Sequence, residues 1–153
     1  MSRADALALD QQLCFALYSA SRAVTRLYRP LLDELGLTYP QYLVMLVLWE
    51  RGTVTVKELG KALDLDSGTL SPLLKRLEAN GVVARVRSAA DERSVLVAPT
   101  EAGAALRERA ATVPERIACA SGMDPRDLIG FRDQLKEMTR IVARTTLDLE
   151  AGA

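Results

Sequence analysis

Residues Thr55–Pro99, TVKELGKALDLDSGTLSPLLKRLEANGVVARVRSAADERSVLVAP, decide how the rest of the chain is read. Thr55 and Glu58 have the spacing of a capping box, in which each side chain satisfies an orphan backbone N–H. Val56, Leu59, Ala62 and Leu63 follow at helical spacing. A second helix start falls at Asp66 or Ser67, both good N-cap residues. Leu70, Leu73, Leu74 and Leu77 then form the i, i+3, i+4, i+7 stripe of an amphipathic helix. Asn80-Gly81 ends it, because both residues accept the left-handed conformation on which helices often finish. Beyond that point the period changes. Val82–Arg87 and Ser94–Ala98 are rich in β-branched residues and bracket a polar segment, 88–93, which predicts a hairpin.

Helix, turn, helix and hairpin, in that order, is the layout of a winged helix-turn-helix, a module that reads DNA. The second helix turns its non-leucine face, Ser67, Thr69, Ser71, Lys75 and Arg76, outward. Small hydroxyls suit close approach to base edges, and the two cations suit phosphate. Arg85 and Arg87 lie two apart, hence on one face of their strand. Lys75, Arg76, Arg85 and Arg87 against the single acid Glu78 give a local net charge of +3.

The whole chain has 153 residues, enough for one domain or a small domain with dimerising extensions. Its 49% hydrophobic content and mean hydropathy of +0.06 place it on the apolar side for a soluble protein, as suits a chain that buries surface against a partner. Twenty basic and twenty acidic side chains cancel, so DNA affinity has to come from local clustering. There is no histidine, which removes His-based triads and His-containing zinc sites. Two cysteines cannot build a Cys₄ zinc site. Neither an enzyme nor a metal or other cofactor is expected. No run of eighteen apolar residues appears, and MSRADALALDQQ lacks a signal-peptide core. A cytoplasmic location without membrane contact follows as an expectation. In a reducing compartment the two cysteines are expected as buried thiols or redox groups.

Ala4–Leu35 reads as one long helix, or as two broken at Pro30. Along it Cys14, Tyr18, Ser21, Thr25 and Tyr28 share one face, beside an apolar face of Leu13, Leu17, Val24 and Leu27. Cys14 and Tyr28 are about 21 Å apart at 1.5 Å per residue. Within the helix only Tyr18 can touch Cys14, and a more distant tyrosine has to arrive from another copy of the chain. Periodicity alone favours Cys14 as a small buried hydrophobe. Thr38 and Gln41 have capping-box spacing, with Pro40 tolerated in the first turn. The almost wholly apolar run that follows, containing Trp49, predicts a core helix closed by Gly52.

Thr100–Ala120 reads as a helix kinked at Pro114 and carrying Cys119 near its end. Asp124-Pro125 opens a last helix through about Leu149, with Leu128, Phe131, Leu135, Met138, Val142 and Thr145 as its stripe. The resulting expectation is a mainly α fold with a small β wing. Segments 1–36 and 100–153 supply dimerisation helices, and 37–99 supplies the winged helix-turn-helix.

The turn-helix LDLDSGTLSPLLKRLEANG and the wing ADERSVLV followed by TEAG resemble the MarR family of dimeric transcription regulators over about Leu9–Val142. LCFALYSASRAVTRLYRPLLDELGLTYPQYLVMLVLWE is most similar to its organic hydroperoxide resistance branch, in the two-cysteine type. The resemblance implies that Cys14 senses peroxide and that Tyr28 and Tyr39 hydrogen-bond its sulfur across a homodimer. Tyr18 would be an auxiliary pocket residue, and Cys119 a resolving thiol that closes an intersubunit disulfide. Ser67, Thr69, Ser71, Lys75 and Arg76 would meet the major groove or its phosphates on a pseudo-palindromic double-stranded operator, with Arg85 and Arg87 adding charge nearby. Asp91 and Arg93 match a wing-tip pair in which the aspartate positions the arginine for the minor groove. Pro99 departs from the family pattern and is expected to cost one strand-end hydrogen bond. The implied function is a repressor released from its operator when organic hydroperoxide oxidises Cys14. A MarR-type repressor answering to a small aromatic ligand, with Cys14 inert, is the alternative.

Overall fold

The helix starts that the sequence marks with a capping side chain, at Thr38, Thr55, Asp66, Thr100 and Asp124, all form. The computed structural model describes residues 5–151, with side chains described over 6–147. Two 3-10 turns, Asp5–Leu7 and Leu9–Gln11, precede α1, Leu13–Asp33. The long helix anticipated from Ala4 therefore begins nine residues later, and residue 4 lies outside the described part. Gln12 fastens the preceding turns, its Nε2 donating to the carbonyls of Ala6 and Ala8. Pro30 sits inside α1 without breaking it. Pro30 and Arg26 are both exposed, so the Arg26 carbonyl that loses its N–H partner faces solvent.

Helix α2, Tyr39–Arg51, starts with the complete Thr38/Gln41 box: Gln41 N–H donates to Thr38 Oγ1, and Thr38 N–H donates to Gln41 Oε1. Gly52 closes it at φ 72°. The Thr55/Glu58 box opens α3, Val56–Leu63, in the same way. Between α3 and the next helix, Asp64 takes a left-handed φ of 53° and Leu65 N–H returns to the Gly60 carbonyl. A Cβ on Gly60 would lie 2.7 Å from the Leu65 oxygen, so this turn needs glycine there. Asp66 then caps α4, Ser67–Ala79, its Oδ1 accepting from Thr69 N–H at 2.7 Å.

The wing is the hairpin of β2, Val83–Arg87, and β3, Val95–Pro99, joined by a third strand that the sequence reading missed. This β1, Val54–Thr55, pairs antiparallel with β3 and places β3 at the centre. Two residues are too few to show any period. Pro99 ends β3 opposite Val83, a strand-end position where a missing donor costs little.

Leu59, Leu70, Leu74, Leu77, Val83 and Val97 are at most 2% exposed, and Val44, Met45 and Leu48 of α2 are equally enclosed. Each such side chain contributes about 2 kcal/mol from removal of apolar surface from water. Trp49 is half-buried, and its indole N–H donates to the Gly103 carbonyl at 2.8 Å.

The segment after the wing forms two helices where one kinked helix was expected: α5, Glu101–Ala110, and α6, Val113–Ser121. The ring of Pro114 would clash with the carbonyl four residues back, on Ala110, so α5 stops there and Pro114 becomes a first-turn residue of α6. The last helix, α7, runs Pro125–Ala151. The chain divides into two compact units, Met1–Val113 and Pro114–Ala153. Among the described residues no helix is long and apolar enough to cross a membrane.

Candidate functional site

Leu70, Leu74 and Leu77 of the α4 stripe are buried and Leu73 is half-buried, so the opposite face is presented outward. Ser67, Thr69, Ser71, Lys75 and Arg76 are all exposed. Asp66 at the head of this face is held below the usual carboxylate range, chiefly by the Thr69 backbone N–H it accepts. A groove of about 390 Å³ between α3, α4 and the wing is lined by Lys57, Ser67, Ser71, Arg85 and Arg93 among others. Folding thus gathers four of the sequence-selected residues, from three elements, into one basic depression.

The cation cluster is partly neutralised from within. Arg85 Nε and Nη2 both donate to Glu78 Oε2, at 3.1 and 2.7 Å, which ties β2 to α4 and lowers the Glu78 carboxyl below its ordinary value. Arg85 is thereby a structural brace, and Lys75, Arg76 and Arg87 are the members of the cluster left outward. At the wing tip Asp91 Oδ1 accepts the Arg93 backbone N–H at 3.0 Å and Oδ2 accepts the Ser94 hydroxyl at 3.3 Å. Asp91 therefore orders the loop backbone under Arg93, whose side chain stays exposed.

The tyrosines form a cluster of their own. Tyr28 of α1 and Tyr39 of α2 have ring centroids 5.0 Å apart, and Tyr42 joins them 5.9 Å from Tyr28. Sequence reasoning omitted Tyr42, although its i, i+3 spacing from Tyr39 puts both on one side of α2. Burial raises all three phenols above their ordinary pKa. For Tyr28 the neighbouring Tyr39 adds to this, and for Tyr42 both Tyr28 and Tyr39 do. At neutral pH they are protonated hydrogen-bond donors. Tyr18 stands apart and exposed, accepting a hydrogen bond from Arg22 Nη1 at 3.2 Å while the guanidinium lies 5.4 Å from its ring centroid.

Cys14 occupies the first turn of α1 and Cys119 lies on α6; both are free thiols. The expectation of buried cysteines fails for the single chain, because each is exposed and the neighbours Leu13 and Phe15 are exposed as well. Among the described residues no group of His, Cys, Asp and Glu side chains could hold a metal ion.

A capped helix-turn-helix, a braced wing and an outward polar face on α4 define a winged-helix DNA-binding regulator. Comparison with known proteins agrees. The transcriptional regulator SarA/Rot family matches residues 26–109. The organic hydroperoxide resistance transcriptional regulator of Bacillus subtilis is 52% identical over 86% of this chain and 89% of its own. Reduced AbfR bound to DNA superposes with a TM-score of 0.72 at 36% identity, covering 88% of this chain and 93% of that one. A disulfide-formed AbfR scores 0.61 at 36% identity over 89% and 90%; AbfR comes from Staphylococcus epidermidis. The chain belongs to the MarR-type transcription regulators, in the organic hydroperoxide resistance branch. It is a DNA-binding regulator of transcription and not an enzyme.

Proposed function

We propose that this protein is a homodimeric repressor that leaves its operator when an organic hydroperoxide oxidises Cys14. The tyrosine pair carries the reading. Tyr28 and Tyr39 form a tight pair of half-buried, protonated phenols. Because α1 is continuous from Leu13 past Tyr28, Cys14 of the same chain is about 21 Å from Tyr28 along the helix. The thiol they serve is Cys14 of the partner subunit, brought in when the exposed apolar residues of α1, Leu13, Phe15 and Val24, are covered by a second copy. Exposed Ile129, Phe131, Ile141 and Val142 on α7 supply further surface for that association.

Hydrogen bonds from phenols favour the thiolate over the thiol. The thiolate attacks the outer peroxide oxygen, the O–O bond breaks, and the products are a sulfenic acid and, after protonation, an alcohol. Condensation of the sulfenic acid with Cys119 of the partner subunit forms a disulfide and releases water. Disulfide closure requires Cα atoms within about 7 Å, so helices have to move if the reduced thiols start further apart. That movement changes the spacing of two α4 helices that must reach successive half-sites together. Ser67, Thr69, Ser71, Lys75 and Arg76 make the major-groove and phosphate contacts, and Arg87 and Arg93 extend them along the wing. Tyr18 lines the approach to the thiol.

A gel shift under cumene hydroperoxide tests the scheme: wild-type protein releases operator DNA and forms a disulfide-linked dimer on non-reducing electrophoresis, and Cys14→Ser does neither. Release of Cys14→Ser at the wild-type peroxide concentration refutes it. Effector control is a second reading, favoured by a cleft of about 580 Å³ lined by Arg22, Arg26, Arg29 and Tyr39. Calorimetric titration with 4-hydroxybenzoate, together with operator release by that compound, would support it.

A further inference from the structure

Tyr42 has no part in the scheme above, yet it is the ring on which the sensor pair rests. We infer that Tyr42 is the positioning residue of the Tyr28–Tyr39 pair, and that Trp49 passes a displacement of that pair to the root of the wing. This rests on the proposed peroxide-sensing reaction.

The geometry is a continuous chain of contacts. Tyr28 stands between Tyr39, 5.0 Å away, and Tyr42, 5.9 Å away. Tyr42 is only 3% exposed, and its other neighbour is Trp49, edge-on at 6.3 Å and 67°. Trp49 ends the chain with a directional bond, its indole N–H donating to the Gly103 carbonyl at 2.8 Å.

Gly103 lies where both strands of the wing are anchored. Its N–H donates to Thr100 Oγ1, whose own hydrogen goes to the Gly81 carbonyl at 2.6 Å. Thr100 N–H donates to the Val82 carbonyl. A Cβ built on Gly103 would lie 2.0 Å from that same Val82 oxygen, so α5 touches the backbone entering β2 with no spare room. Val82 leads into β2 and Thr100 follows directly on β3. A shift of the indole is therefore felt at the start of one wing strand and the end of the other. Close-packed interiors transmit such displacements because they hold few voids to absorb them. An aromatic ring suits position 42 because it packs against both Tyr28 and Trp49.

The chain contains one tryptophan, so its fluorescence reports on this contact without a label. The test uses full-length protein with operator DNA and cumene hydroperoxide. It follows Cys14 oxidation by mass spectrometry, operator release by anisotropy, Trp49 emission, and melting temperature as a check on folding. Trp49→Phe keeps the oxidation rate but raises about fivefold the fraction of oxidised protein still on operator. Tyr42→Leu slows Cys14 oxidation about tenfold, and Tyr42→Phe, which keeps the ring, restores most of the rate. Wild-type Trp49 emission changes on oxidation, and Tyr42→Leu removes that change. If Tyr42→Leu does not fold, Trp49→Phe and the wild-type emission change decide the matter. Wild-type protein that responds while the folded variants match it in oxidation and release overturns this inference alone. Wild-type Cys14 that stays reduced overturns the sensing scheme and this inference with it.

Discussion

In α4 the side chains of Leu70, Leu74 and Leu77 are at most 1% exposed, whereas Phe131, Ile141 and Val142 on α7 are each more than half exposed. Both helices carry apolar stripes at helical spacing, and from the stripes alone they look alike. The first stripe is satisfied inside one chain, by α2, α3 and the wing. The second is not. The stripe of α4 is covered within one chain, whereas the apolar surface on α1 and α7 is left exposed; in the proposed homodimer a second copy covers it.

Substitutions separate these two behaviours, beginning with the largest effect. Leu70→Ala removes a fully buried side chain and should destabilise the fold by about 3 kcal/mol, measured as a lower denaturation midpoint at every protein concentration. Val142→Ala should change mainly the dependence of melting temperature on concentration. A midpoint loss for Val142→Ala as large as that for Leu70→Ala, independent of concentration, would break the contrast.

Gly103→Ala comes next, because a methyl group cannot fit 2.0 Å from the Val82 oxygen. It should cost about 2 kcal/mol by urea unfolding and weaken operator binding as the wing root shifts. Thr100→Ala deletes both the α5 cap and the bond to Gly81 and should cost about 1 kcal/mol. Arg76→Ala should leave the melting temperature unchanged while lowering the slope of log affinity against log salt by about one. The smallest effect is on pH dependence. Raised folded-state values for Tyr28, Tyr39 and Tyr42 mean that their contribution is fully present below the unfolded phenol pKa of about 10 and is lost as pH rises through the folded values. Tyr28→Phe should flatten the fall in stability above that pH in denaturant titrations.

Local chemistry made much of this readable in advance. Thr38 with Gln41 and Thr55 with Glu58 form the boxes their spacing announced, and Asn80-Gly81 ends α4 with Gly81 at φ 73°. These depend on atoms three or four residues apart, so they are fixed before any tertiary contact. The same locality could not decide between the two outcomes at Pro30, and at Pro114 it gave a kink where the helix divides. Pro30 has the same missing donor as Pro114, yet α1 continues through the first while the helical segment divides before the second. Solvent at the orphan Arg26 carbonyl explains the tolerance, and no sequence rule supplies it. The +3 cluster was legible as a count, but Glu78 spends its charge on Arg85, seven residues away across a turn.

The residue order alone determined the element types, most of their ends, the outward face of α4 and the pairing of the wing strands, because each follows from periodicity or from hydrogen bonds within one turn. The tertiary fold decided which rings meet. Tyr28, Tyr39, Tyr42 and Trp49 come from two helices, and Gly103 lies 54 residues beyond Trp49. Contacts at such separations depend on how helices pack, which neither periodicity nor capping encodes. The two-residue β1 likewise exists only because β3 offers it an edge.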